Sequence, residues 1–173
     1  MLDFIRIACA VPAVRVGDTA KNAEDICAYI EKADGERADI VLFPELALTG
    51  YSCQDLFFQD ALWTGVQQGI RKIAGYTKNY PNVTAVVGLP VRTGMRMYNC
   101  AAVISRGKIH ALVPKTYIPN YNEFYEKRWF SSGAEVTEDM AELLGEPVPI
   151  LPRAVFRVGG ALLGGVLEAL VFH

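Results

Sequence analysis

Two charged side chains stand where strands of a sheet would end, and both are of types that acid–base chemistry uses. Glu45 follows the apolar run 39–43 (DIVLF) across a single proline, within Phe43-Pro44-Glu45-Leu46-Ala47-Leu48-Thr49-Gly50-Tyr51. The carboxyl edge of a sheet is where open α/β folds place their ligands, and a half-buried carboxylate there gains proton affinity, as a general base requires. Position alone also fits a surface glutamate in a turn. Lys115 closes the run 108–113, and the loop behind it (116–130) is dense in aromatic and charged residues. Aromatic walls with a few charges suit a small-molecule pocket, and a fixed cation there can stabilise an oxyanion. Two prolines stiffening a loop packed down by its own aromatics would give the same pattern.

A third segment, 161–173 (ALLGGVLEALVFH), has Glu168 and His173 as its only polar side chains and reads as a core strand without a nucleophile. Of the four cysteines, Cys9 and Cys100 lie in apolar strands and Cys27 on the apolar face of a helix, positions where thiols act as small hydrophobes. Cys53, in a loop shortly after Glu45, is the one to test for reactivity. There is no C-x-x-C, and neither His110 nor His173 lies near a cysteine pair, so no metal site is expected.

The elements that must hold these residues can be read from periodicity. Residues 5–11 form a short apolar strand. After Gly17-Asp18-Thr19, a helix start, Ala23, Ile26, Cys27, Ile30 and Ala33 recur at helical spacing, with Lys21, Glu24, Asp25, Glu31 and Lys32 outside. Residues 39–43 are a buried strand. Residues 55–74 read as a helix with Leu62, Val66, Ile70 and Ile73 along one face, and 83–89 (VTAVVGL) as another buried strand. Residues 98–105 and 108–113 flank Arg106-Gly107 as a hairpin, and 154–158 and 161–167 flank Gly159-Gly160 as a second. Strand–helix alternation followed by hairpins predicts a mixed sheet with helices packed on it, an α/β layered fold in one domain.

Composition agrees. The chain of 173 residues is 51% hydrophobic and 21% charged with a formal net charge of −2, a globular profile offering nothing to attract nucleic acid or an anionic membrane. The apolar run 161–171 contains Glu168 and is too short for a bilayer. Asp3 and Arg6 interrupt the first apolar stretch, so no signal peptide is read, and free thiols suit a cytoplasmic protein.

FPELALTGYSCQDLFFQ and PNYNEFYEKRWF together resemble the carbon–nitrogen hydrolase (nitrilase) superfamily. More narrowly, they are similar to the N-terminal glutaminase domain of glutamine-dependent NAD synthetases, from the first strand to about Phe130. The resemblance implies an α-β-β-α sandwich, here incomplete at its C-terminus, with residues 1–173 as one partial glutaminase domain and the synthetase domain absent. It implies Glu45 as general base, Lys115 as the stabiliser of the tetrahedral intermediate and Glu123 as a second glutamate positioning the lysine and the substrate amide. Tyr121 and Phe124 would line the glutamine pocket, with Tyr51 close by. The family's chemistry also needs a cysteine on a strand like G-V-E-I-C-E-D-L, where this sequence reads Gly165-Val166-Leu167-Glu168-Ala169-Leu170. The expectation is therefore glutamine hydrolysis feeding ammonia to NAD synthesis in the family, and no turnover by this chain. No cofactor is implied for the glutaminase part; ATP and deamido-NAD belong to the synthetase domain. Glutamine, the synthetase domain and a homo-oligomer of the full-length enzyme are the implied partners. The alternatives are an aliphatic amidase or nitrilase-like enzyme acting on another small amide, and a non-catalytic glutamine-binding or assembly module.

Overall fold

The computed structural model describes residues 4–121, 124–158 and 161–163. Five strands form one sheet in sequence order: β1 (Ile7–Cys9), β2 (Ile40–Leu42), β3 (Thr84–Thr93), β4 (Arg96–Ser105) and β5 (Lys108–Pro114). The first three run parallel and the last two add as antiparallel hairpins. The parallel connections carry α1 (Thr19–Gly35) and α2 (Asp60–Tyr76). This is the mixed α/β architecture that the alternation of patterns predicts.

Both helices lie on one face. Asp18 caps α1 by accepting from Lys21 N at 3.0 Å. All five residues expected on its inner side, Ala23, Ile26, Cys27, Ile30 and Ala33, are buried. So are Leu62, Val66, Ile70 and Ile73 of α2. They pack against Val41, Ala85, Val87, Leu89, Cys100, Ala102, Ile104 and Leu112. Strand residues alternate between faces, so Ile40, Leu42, Val86, Ala101, Val103 and Val113 form a second apolar row on the other face. There Ala154 and Phe156 join them.

The structure adds detail that the pattern did not show. The helix expected over 55–74 is divided: residues Tyr51–Phe58 form a kinked 3₁₀ segment, and α2 begins only after Gln59. Strand β3 runs beyond Leu89 through Pro90 to Thr93, turning at Gly94-Met95 into β4. A further hairpin, β6 (Met140–Leu143) with β7 (Glu146–Pro149), buries Ala141, Leu143 and Val148 in the helix-side core. The hairpin at Arg106-Gly107 is as expected, both residues having positive φ (52° and 80°), the geometry a two-residue turn requires. Strands β8 (Phe156–Val158) and β9 (Ala161–Leu163) pair antiparallel. Gly159-Gly160 and residues 164–173, Glu168 and His173 included, lie outside the described residues.

One glycine decides how closely the turn after β2 can approach the sheet. Leu48 N donates to Gly88 O at 3.1 Å, folding residues 44–48 back over β3. A Cβ on Gly88 would collide with Pro44 O and Leu46 N. Both obstacles are backbone, so relief requires moving the segment that carries Glu45. Gly88→Ala is expected to destabilise the fold by about 1–3 kcal/mol, as overpacking does. Gly75→Ala, where a Cβ meets nothing within 4 Å, should be neutral or stabilising. Urea unfolding of the two variants against the native chain makes the comparison.

Candidate active site

The second face of the sheet changes from apolar to polar at one end. Counting in twos along β4 from Val103 and Ala101 leads to Asn99, and along β5 from Val113 leads to Lys115. Lys115 N donates to Asn99 O at 2.8 Å, so the two side chains start from paired positions. Glu45 enters from the turn after β2, whose backbone passes over Gly88. Leu46 takes a positive φ of 52° there while fully buried, a conformation that bulky side chains adopt only when their surroundings enforce it.

Glu45 and a second carboxylate, Glu126, converge on the Lys115 ammonium. Lys115 Nζ lies 2.8 Å from Glu45 Oε1 and 3.1 and 3.0 Å from the two oxygens of Glu126. Lys115 is 5% exposed and Glu126 2%, while the Glu45 side chain keeps 18%. Asn99 Nδ2 donates a short hydrogen bond to the same Glu45 Oε1, and Tyr51 Oη donates to Glu126 Oε1 at 2.8 Å. Burial lifts the Glu45 carboxyl above the ordinary glutamate value, with the negative charge of Glu126 adding to the lift; the hydrogen bonds from Lys115 and Asn99 and the lysine charge pull the other way. Burial, then the bond to Glu126, raises the Tyr51 phenol well above its usual value, so it remains a donor.

A separate apolar cluster holds this arrangement in place. Leu46, Cys53, Phe57, Leu62, Met97 and Phe130 pack together beneath the turn and the loop that carries Glu126. The Phe57 ring meets that of Phe130 edge-on at 4.9 Å. Asp55 binds Arg128 through two hydrogen bonds of 2.7 Å and accepts a third from Trp129 Nε1 at 3.0 Å. Those donors, Arg128 first, hold its carboxyl well below the usual carboxylate range. Behind Lys115, Gly133 N donates to Lys115 O at 2.8 Å, and a Cβ on Gly133 would press on Pro114 O.

Above the lysine opens a cavity of about 620 Å³. Glu45, Lys115 and Glu126 lie at it, with Tyr51, Tyr121 and Phe124 among its walls. The Tyr121 and Phe124 rings meet edge-on at 5.6 Å. Five of the six residues singled out from the sequence (Glu45, Lys115, Tyr51, Tyr121 and Phe124) are thus brought together. The sixth, Glu123, lies outside the described residues. The second carboxylate seen against the lysine is Glu126, which the sequence reading did not single out, nor did it single out Asn99.

No cysteine lines the cavity. Cys53 is buried and its thiol donates to Thr49 O at 3.1 Å. Burial pushes its proton affinity up, the wrong direction for a nucleophile. Among the described residues, no group of three His, Cys, Asp or Glu could hold a metal ion, and no helix is long and apolar enough to cross a membrane.

Comparison with known proteins decides the family. The family model described as carbon-nitrogen hydrolase matches residues 6–160. The chain belongs to the carbon–nitrogen hydrolase family. Among curated relatives of this carbon–nitrogen hydrolase domain are glutamine-dependent NAD(+) synthetases. That of Mycobacterium bovis is 37% identical over 158 residues, covering 91% of this chain and 21% of the relative. That of Xylella fastidiosa is 39% identical over 152 residues, covering 87% and 27%. The chain thus spans about a fifth to a quarter of the length of these relatives. The structure of a glutamine-dependent NAD(+) synthetase from Cytophaga hutchinsonii superposes with a TM-score of 0.80 at 28% identity, covering 92% of this chain and 27% of that one. A Nesterenkonia amidase of the nitrilase superfamily shares the fold at a TM-score of 0.72 and 22% identity, covering 92% and 54%.

Removing the cation should leave two carboxylates buried face to face. Lys115→Met is expected to lower the unfolding free energy at neutral pH by about 3–5 kcal/mol. The pH dependence has a definite sign. A carboxyl whose folded pKa exceeds its unfolded value binds more protons in the native state between the two. Its contribution to stability therefore falls as pH rises through that window. Without the lysine the window widens upward, so Lys115→Met should regain stability on acidification. Urea titrations of both chains from mildly acidic to neutral pH test this.

Proposed function

We propose that these residues are part of a glutaminase domain that releases ammonia from glutamine for NAD synthesis. The observation that carries the reading is Lys115, clamped between Glu45 and Glu126 at an aromatic-walled cavity. Amide hydrolysis through a thioester needs a base to form the thiolate and a cation facing the oxyanion. It also needs an acid for the departing ammonia. Glu45, partly exposed and of raised proton affinity, suits the first and third roles by taking a proton and passing it back. Lys115 supplies the cation. Glu126 holds the lysine in place, and Tyr51 holds Glu126. Tyr121 and Phe124 are the walls against which a substrate chain would lie.

Kinship with glutamine-dependent NAD(+) synthetases extends the reading to the whole protein. There the ammonia would pass to a synthetase domain that amidates deamido-NAD with ATP, in a cytoplasmic, homo-oligomeric enzyme. The glutaminase part would use no cofactor of its own. Residues 1–173 carry the base and the cation but bring no thiol to the cavity. We therefore expect the 173-residue polypeptide to bind glutamine without hydrolysing it.

Thermal unfolding in the presence of amides tests the substrate class. Glutamine should raise the melting temperature of the native chain, and propionamide should not. Lys115→Met and Glu126→Gln should each abolish the glutamine shift. Protection by propionamide alone would favour an aliphatic amidase instead. Ammonia release, assayed beside Cys53→Ala, should stay at background; turnover lost in that variant would make Cys53 the nucleophile.

A further inference from the structure

The Glu45 carboxylate is held asymmetrically. Oε1 receives two donors, Lys115 Nζ at 2.8 Å and Asn99 Nδ2 by the short bond, whereas Oε2 has no hydrogen bond among the described residues. Asn99 is itself fully buried, and its Oδ1 has no hydrogen-bond partner among the described residues. Leaving a buried carbonyl oxygen unpaired costs about 1–3 kcal/mol. Among the described residues, no neighbour of that oxygen explains the amide's orientation. The carboxylate, which can only accept from the NH₂ end, does.

We infer that Asn99 is a positioning residue for the base: with Lys115 it saturates Oε1 of Glu45 and so assigns the proton-carrying role to Oε2. The inference rests on the glutaminase reading and deepens it. When a thiol supplied from outside residues 1–173 attacks the amide, its S–H bond would break, the proton forming an O–H bond at Oε2 while the sulfur pair forms the C–S bond and the carbonyl pair moves onto oxygen beside Lys115. Oε1, already accepting two bonds, keeps the carboxylate plane fixed. The proton later leaves Oε2 for the departing nitrogen. Without Asn99, Oε1 would have the lysine alone, and the carboxylate could rotate either oxygen toward the cavity.

Among the described residues, the charged and titratable groups facing Glu45 are Lys115, Glu126 and Tyr51, and the test must separate Asn99 from them. Carbon-13 labelling of glutamate side-chain carboxyls lets NMR follow the Glu45 midpoint directly, identified by its loss in Glu45→Gln. A donor to the charged form lowers a carboxyl pKa. Asn99→Leu, similar in size but without the donor, should therefore raise the Glu45 midpoint by about one unit, and Asn99→Ser, which keeps a shorter donor, by less. An unchanged or lowered midpoint in folded Asn99→Leu overturns the inference. If that variant does not fold, the native chain still decides. The Asn99 side-chain NH₂ resonances should shift with the Glu45 midpoint, and that titration should vanish in Glu45→Gln. Resonances that ignore the midpoint reject the inference equally. Neither measurement contains glutamine, so failure of the glutamine-protection experiment and failure here remain separate results.

Discussion

An ammonium group withdrawn from water loses several kcal/mol of hydration, and a protein interior returns it only through well-placed counter-charges. Lys115 is in that position, and what surrounds it can be understood as the means of keeping it there. Among the described residues two carboxylates face this cation, so full ionisation leaves the trio with an excess negative charge. Burial disfavours the excess, and Glu45, the more exposed of the two carboxylates, responds with a raised proton affinity. Glu45 thus takes protons more readily than an ordinary glutamate while staying paired to a cation, with burial as the larger cause and the charge of Glu126 adding to it.

Holding three charges within 3.1 Å requires backbone precision, and the chain supplies it mainly by omitting side chains. Gly88 lets the Glu45 turn rest on β3, and Gly133 lets the later loop pass behind Lys115. Leu46 works in the opposite sense. Its side chain anchors the turn in the apolar cluster, and the left-handed backbone this demands redirects Glu45 toward the lysine. The Asp55–Arg128 pair is exposed, and such pairs contribute little to stability on their own. Here it joins the two loops that bring Tyr51 and Glu126 together, so its consequence is geometric.

Features governed by short-range periodicity could be read from the sequence, and those depending on distant partners could not. The inner faces of both helices and the Arg106-Gly107 turn follow from spacing and turn chemistry. The extension of β3 through Pro90 and the β6–β7 hairpin with its two prolines did not, since proline usually argues against a strand. Glu45 and Lys115 were visible because each closes an apolar run. Glu126 was not, because its partner lies eleven residues back across an irregular loop. Asn99 carried a usable signal: it continues the alternation of Val103 and Ala101, so a polar residue was due on an otherwise apolar face.

That break in the alternation bears on why the network exists. Buried ion pairs are a poor means of stabilising a fold, since apolar residues of similar volume often do as well or better. The second face shows that the apolar solution was at hand, with Leu42, Val86, Ala101, Val103 and Val113 filling the row up to the point where Asn99 and Lys115 begin. Stability gives no reason to stop there. Electrostatic chemistry does, because the same low dielectric that makes Lys115 costly strengthens its pull on charge developing beside it. Among the described residues, the trio is open where it meets the cavity, and there Glu45 keeps the exposure that Lys115 and Glu126 lack. An arrangement built only for stability would have closed that side as well.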